Sequence, residues 1–257
     1  HEYILNSTGL KRWNITRSTP EPEGGRIGRY EDGRLNGELV DRAKSLVTLP
    51  EQPAPSFEER VSALAEEYGL LNAVGLTNIR YVGGSPELYR AVQTLKERGQ
   101  LTVRVNFLFR VPNSARLEDL EDLIAQWDAR PGDGDDWLRV GGVKLMVDGG
   151  YEGGWMREPY EEPWGKKATY YGLQTMPSEV YTQIVADLNI RGWCVATHAV
   201  GDAAIDLVLD AYEQANENKT IQDQRWSIEH GFMPRADQFP RMRKLGLLVS
   251  AQSHLFV

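Results

Sequence analysis

The stretch that decides the fold is Val143-Lys144-Leu145-Met146-Val147-Asp148-Gly149-Gly150, a short apolar run that ends in polar residues and a glycine turn. Two later apolar runs follow the same sequence pattern, and they end in His198 and His230. Runs of this length and composition predict buried β-strands. Because parallel strands end at the same edge of a sheet, Lys144, His198 and His230 are predicted to face one pocket.

Strand and helix patterns alternate outward from this stretch. Six strands are predicted, at residues 75–82, 101–111, 143–147, 193–197, 226–228 and 247–251. Helical patterns separate them, the first opened by a capping box at Ser56 and ending near Gly69, and a later one capped by Asp202. This alternation predicts an α/β fold, a TIM-like (β/α)8 barrel of which this chain covers about strands 2 to 7. Residues 1–257 are therefore interpreted as a single, incomplete barrel domain.

The first 55 residues read differently from the rest. They are rich in turn residues and poor in apolar periodicity, as in Pro20–Gly25 and Glu31–Arg34. They are predicted to form an irregular leader or insertion with a short hairpin.

Composition excludes some classes of function. The chain of 257 residues has a formal net charge of -8, which argues against a nucleic-acid-binding surface. It contains no apolar run long enough to span a bilayer. A cytoplasmic location is expected, with an upstream signal segment left open by the sequence.

The three strand-end residues suit metal chemistry. Neutral imidazoles are zinc ligands, whereas a lysine ammonium must lose its proton or become a carbamate before it can bind a cation. Each of these residues has an alternative interpretation. Lys144 could form an ion pair with Asp148, and His198 and His230 could be hydrogen-bonded histidines of the core. Asp202 is interpreted as a helix cap rather than a catalytic base.

Four segments together resemble one known family: 142–149, 197–206, 225–230 and 249–254. In this order and spacing they are similar to the amidohydrolase superfamily, specifically its YtcJ-like, amidohydrolase 3 group. The leader, residues 1–7, also resembles the segment that follows the first metal-binding strand in that group.

The resemblance implies a distorted barrel that hydrolyses C–N bonds other than peptide bonds with one or two divalent metals, usually zinc. It implies Lys144, which can be carboxylated, His198 and His230 as metal ligands and catalytic residues. The family's first-strand His-x-His pair and eighth-strand aspartate have no counterpart here. The chain is therefore expected to be incomplete for catalysis.

Several residues are candidates for binding the substrate, a small amide-type molecule. By resemblance, His1 and His254 line its pocket, although both could instead support other groups or face solvent. Trp155 and Tyr160, in the long loop after Gly150, could form a lid or simply cover the mouth of the barrel. A homodimer is a further expectation.

Two rival functions come from other classes. A Schiff-base lyase or aldolase would use Lys144 as its nucleophile in the same barrel. A non-catalytic remnant would bind a small molecule in the pocket. Metal content and borohydride trapping at Lys144 separate these readings from hydrolysis.

Overall fold

Apolar residues of the predicted strands and helices assemble two sheets. The computed structural model describes residues 1–50, 53–162, 165 and 167–252. Its strands are β1 Glu2–Ile4, β2 Gly25–Arg29, β3 Leu35–Asp41, β4 Asn78–Gly84, β5 Arg104–Arg110, β6 Leu138–Met146, β7 Val195–Ala199, β8 Ser227–His230 and β9 Leu248–Ser250. Its α-helices are α1 Ser7–Arg12, α2 Phe57–Ala73, α3 Pro86–Glu97, α4 Leu120–Trp127, α5 Ser178–Ile190, α6 Asp202–Asn218 and α7 Gln238–Leu245. Single 3-10 turns lie at Arg42–Leu46 and Leu117–Asp119.

The larger sheet confirms the predicted alternation. Strands β4 to β9 pair side by side in chain order, and every pairing is parallel. All six predicted strands are present, although β6 starts five residues earlier than predicted, at Leu138. Each parallel pairing needs a crossover, which the intervening helical segments supply. The result is a mixed α/β fold with a six-stranded, partial barrel sheet.

One face of this sheet packs against helices and the other is concave. Val143, Leu145 and Val147 are fully buried in the main apolar cluster, together with residues of α5 and α6. Since side chains alternate along a strand, the residues between them point to the opposite face. Across that face the Arg80 side chain of β4 reaches Glu229 on β8, four strands away. This contact requires the sheet to curl.

The prediction of irregular structure for the first 55 residues was wrong where strands β1 to β3, helix α1 and the first 3-10 turn form. Strands β1, β3 and β2 form an antiparallel sheet in that order, and residues 31–34 make the predicted hairpin turn. Five buried residues form a small separate core: Ile15, Ile27, Leu39, Ala43 and Val47. They are scattered along the sequence, so the local pattern carries no strand or helix period to detect.

Two helix boundaries also differ from prediction, whereas the capping box at Ser56 is confirmed. Helix α2 was predicted to end near Gly69 but continues to Ala73. Gly69 faces open space, and a glycine at such a position weakens a helix without ending it. The N-cap of α6 is Gly201, not Asp202. The Asp202 carboxylate instead accepts hydrogen bonds from the Arg157 amide at 2.7 Å and the Arg235 guanidinium at 2.6 Å.

Helices in the described ranges are too short or too polar to cross a membrane.

Candidate active site

Lys144 and His198 lie on the concave face of the sheet. Lys144 alternates with the buried Val143 and Leu145, and His198 lies directly beside Met146 in the pairing of β6 with β7. Lys144 is therefore two residues deeper in the sheet than His198, within β6 rather than at its end. The predicted common face is present, with Lys144 set further from the strand ends than the histidines.

His198 and His230 are neighbours. Their ring centroids are 4.5 Å apart in an edge-to-face arrangement. The Nε2 atom of His198 lies 2.8 Å from the carbonyl oxygen of Gly149. Burial lowers the pKa of His198 to about 3, so this imidazole is neutral at physiological pH.

The orientation of the His230 ring is set by an unusual backbone conformation and by a hydrogen bond to the side chain of Gln252. It ends β8 with a φ of 75°, a left-handed conformation that non-glycine residues rarely adopt, and such strain clusters at functional sites. Its Nδ1 atom lies 2.6 Å from Oε1 of Gln252, and an amide oxygen can only accept a hydrogen bond. Nδ1 therefore carries the proton, and the lone pair of Nε2 is available. Burial also lowers the pKa of His230, which favours the neutral ring.

Lys144 is a buried amine among charged groups. Burial lowers its pKa to about 8, the Glu229 carboxylate opposes that shift, and the Arg110 and Arg80 guanidinium groups add to it. Its charge also acts on His198 and His230, whose pKa values it lowers. The three predicted residues are thus within electrostatic range of one another.

The alternative partner of Lys144, Asp148, has other contacts. Its fully buried carboxylate accepts hydrogen bonds from the backbone N–H groups of Trp155 at 3.0 Å, Gly201 at 2.9 Å and Val200 at 3.1 Å. One of its oxygens lies 3.5 Å from Nε2 of His198. Asp148 therefore joins the loop after β6 to the end of β7, beside His198.

A third histidine belongs to the same cluster. The ring centroid of His1 lies 5.7 Å from that of His198, and its Nδ1 is 2.7 Å from Oδ1 of Asp41. This hydrogen bond raises the pKa of His1. Asp41 has a φ of 46°, and its other oxygen, Oδ2, is buried without a hydrogen-bond partner among the described residues. Sequence reasoning missed Asp41, because it lies 40 positions from His1 in a segment predicted to be irregular.

The three histidines line a cavity of about 740 Å³, a volume suited to a small molecule. The other lining residues are Glu2, Gly150, Tyr151, Glu152, Val200, Phe232 and Gln252.

Two of the substrate-binding candidates, Trp155 and Tyr160, do not line this cavity. Both make hydrogen bonds that stabilise the loop after β6. The Tyr160 hydroxyl contacts the Gly154 carbonyl at 2.8 Å, and the Trp155 carbonyl accepts from the amides that begin α6. His254 lies outside the described residues.

A divalent metal fits part of this donor set. His198 and His230 are neutral, adjacent and partly pre-oriented, as metal-binding imidazoles must be. In the described ranges, however, no three His, Cys, Asp or Glu side chains are close enough together to hold an ion. A catalytic zinc takes about three protein ligands, so the two imidazoles need Lys144 or further groups to complete a site.

Comparison with known proteins identifies the family of this chain and agrees with its fold. The amidohydrolase family profile matches residues 1–256. The protein LONG AFTER FAR-RED 3 of Arabidopsis thaliana is 30% identical over 98% of this chain and 43% of its own length. The YtcJ protein of Bacillus subtilis (strain 168) is 26% identical over 83% of this chain and 39% of its own. The N-substituted formamide deformylase of Arthrobacter pascens is 28% identical over 96% of this chain and 45% of its own.

A partial parallel barrel with histidines at its strand ends defines a barrel-hydrolase class of architecture, and this chain belongs to the amidohydrolase family. The YtcJ-like resemblance is thereby confirmed. The chain spans about two fifths of the length of these curated relatives. The fold is shared with an uncharacterized metal-dependent hydrolase from Pyrococcus horikoshii OT3, with a TM-score of 0.68 and 22% identity over 100% of this chain and 48% of that one.

Proposed function

We propose that the protein containing this chain hydrolyses C–N bonds of small amide-type molecules, other than peptide bonds, with a divalent metal, zinc. The observation that carries the proposal is the adjacent pair of neutral imidazoles, His198 and His230, at the ends of neighbouring parallel strands and facing one cavity. Family membership supports the reaction class, and one relative is named as a deformylase of N-substituted formamides. We further propose that β4 to β9 are strands two to seven of an eight-stranded barrel.

In this proposal His198 and His230 hold the metal, with Lys144, as a carbamate, and groups elsewhere in the protein as further ligands. A bound metal would activate a water molecule and polarise the scissile carbonyl. The oxygen of water joins the acyl carbon, the C–N bond breaks, and the water protons end on the released amine and acid. Gln252 fixes the tautomer of His230.

Metal analysis and turnover of single variants test this assignment. His198→Ala and His230→Ala each remove a direct ligand, so the loss of metal affinity should exceed the roughly 10- to 100-fold effect of changing an outer contact. Short carboxylic acids should partly rescue Lys144→Ala by supplying carbamate-like oxygens, but should not rescue Lys144→Arg. Arg104→Gln, at the opposite end of β5, is the control. Full metal occupancy in both histidine variants would show that these rings are structural.

A second function is favoured by one observation, the buried amine of Lys144, whose pKa is lowered to about 8. Desolvated lysines form Schiff bases with carbonyl substrates. Borohydride reduction in the presence of substrate would attach a substrate-derived mass to Lys144 if this alternative were right. A hydrolase would stay unlabelled and lose activity with a chelator. A non-catalytic binding protein would show neither result.

A further inference from the structure

A second cavity, of about 520 Å³, shares His1 with the cavity of the histidine cluster. It is formed where the 3-10 turn after β3 meets the ends of β5 and β6. Its lining includes three cationic side chains, Arg42, Lys44 and Arg110. The chain as a whole is acidic, so this concentration of positive charge runs against its average composition.

These cations lack acidic partners. None of the three forms an ion pair within the described ranges, whereas Arg157 and Arg241 each bind at least two carboxylates. Among the residues that the structure describes, Asp41 is the only acidic one in the lining, and one of its oxygens already binds His1. Solvent screens part of the repulsion among these cations, because Arg42 and Arg110 are exposed, and an anion bound among the three would relieve the rest.

An unused acceptor lies in the same cavity. The side-chain amide of Asn113 donates to the Thr175 hydroxyl at 2.9 Å, while its Oδ1 atom is buried with no hydrogen-bond partner among the described residues. A buried acceptor without a donor is unfavourable, and a ligand N–H group that donated to it would remove that cost. The cavity therefore offers positive charge and a hydrogen-bond acceptor to the same ligand.

His1 connects this cavity to the candidate active site, because it lines both. A molecule with an anionic end among the cations could extend past His1 to His198 and His230.

We propose that the cavity between Arg42, Lys44 and Arg110 is a subsite for the carboxylate end of the substrate, so that the substrate is an amide that carries a carboxylate. This inference rests on the proposed function. A carboxylate suits the forked guanidinium of Arg110. The Asp41 carboxylate in the lining disfavours a doubly charged phosphate.

The test compares two ligands that differ only in charge: N-formylglycine and its neutral amide, N-formylglycinamide. Their affinities are measured by isothermal titration calorimetry on the chelator-treated protein, so that turnover does not interfere. N-formylglycine should bind at least about tenfold more tightly, as expected for charge-assisted hydrogen bonds. Raising the salt concentration should reduce that preference.

Variants assign the preference to the cavity. Arg110→Gln should remove about tenfold or more of the affinity for N-formylglycine and leave the amide unaffected. The matched control is Arg104→Gln, which removes the same charge from the exposed opposite end of β5 and should change neither affinity. Lys44→Gln provides a second variant if Arg110→Gln fails to fold.

The outcomes separate this inference from the proposed function. Equal affinity for acid and amide, or an equal loss in Arg104→Gln, would overturn the subsite. Inorganic phosphate that binds as tightly as N-formylglycine would overturn its assignment to a carboxylate. A preserved acid preference without any amide hydrolysis would leave the subsite standing and contradict only the reaction.

Discussion

Replacing Asp148 by asparagine is expected to lower the free energy of unfolding by about 2–4 kcal/mol and to loosen the loop after β6. The carboxylate accepts three backbone N–H groups, from Trp155, Val200 and Gly201, and the Val200 N–H lies within 3.1 Å of both oxygens. An asparagine NH2 group in place of one oxygen would point a donor at a donor. A buried N–H that loses its partner costs about 1–3 kcal/mol. Burial raises the pKa of Asp148 to about 7, so unfolding is measured above that pH, where hydrogen bonds to the neutral asparagine are each roughly 1 kcal/mol weaker than those to the ionised carboxylate. Easier burial of the neutral amide offsets part of this loss.

Urea unfolding gives the change in free energy, and native-state hydrogen exchange locates it. The amides of Trp155, Val200 and Gly201 should exchange faster in Asp148→Asn than in the unaltered protein. Asp136→Asn is the control, because the Asp136 side chain is 87% exposed. An unfolding free energy within about 0.5 kcal/mol of that control, with unchanged exchange at the three amides, would refute the reasoning.

Other substitutions test the concave face and the helix surface. Arg80→Met should lower the free energy of unfolding by about 2–4 kcal/mol, because it leaves the buried Glu229 carboxylate without its ion-pair partner. The expected loss is somewhat smaller than usual for such a pair, because Arg80 is one-third exposed. An unchanged free energy of unfolding in chemical denaturation would mean that Glu229 needs no partner. Gly84→Ala should be destabilising by about 1–3 kcal/mol, because its Cβ would lie 2.1 Å from the ring of Phe107, whereas Gly69→Ala, in open space within α2, should raise the thermal midpoint. The reverse order of these two glycine variants would contradict the packing.

Local pattern predicted the larger sheet well. Strands β6 and β7 contain short apolar runs whose buried residues pack against helices, and such runs are visible in any short window. The capping box at Ser56 is equally local. The small N-terminal sheet was missed because its core residues, such as Ile15 and Leu39, meet only after the chain has folded back on itself.

The site was predictable in part for the same reason. Lys144 and His198 follow the period of their strands, so the parallel topology places them on one face. His230 does not follow that period, because it pairs with Ala199 rather than with His198, and its left-handed backbone at the end of β8 accompanies its contact with His198. Contacts between distant segments could not be predicted from local sequence. Examples are the hydrogen bond between His1 and Asp41, 40 positions apart, and the ion pair between Arg80 and Glu229, 149 positions apart. Nothing in the local sequence around Asp41 or Arg80 distinguishes these residues from ordinary charged residues on a protein surface.

These distant contacts decide which chemistry the strand ends can perform. The neutral rings of His198 and His230 are suited to a metal because burial removes their protons, while His1 is drawn toward its protonated form by Asp41. One cluster therefore presents two different kinds of imidazole, and the cationic cavity begins beside His1, the imidazole whose pKa is raised. A substrate anchored by its negative end on that side would present its uncharged amide to the neutral rings, which is the orientation that hydrolysis requires.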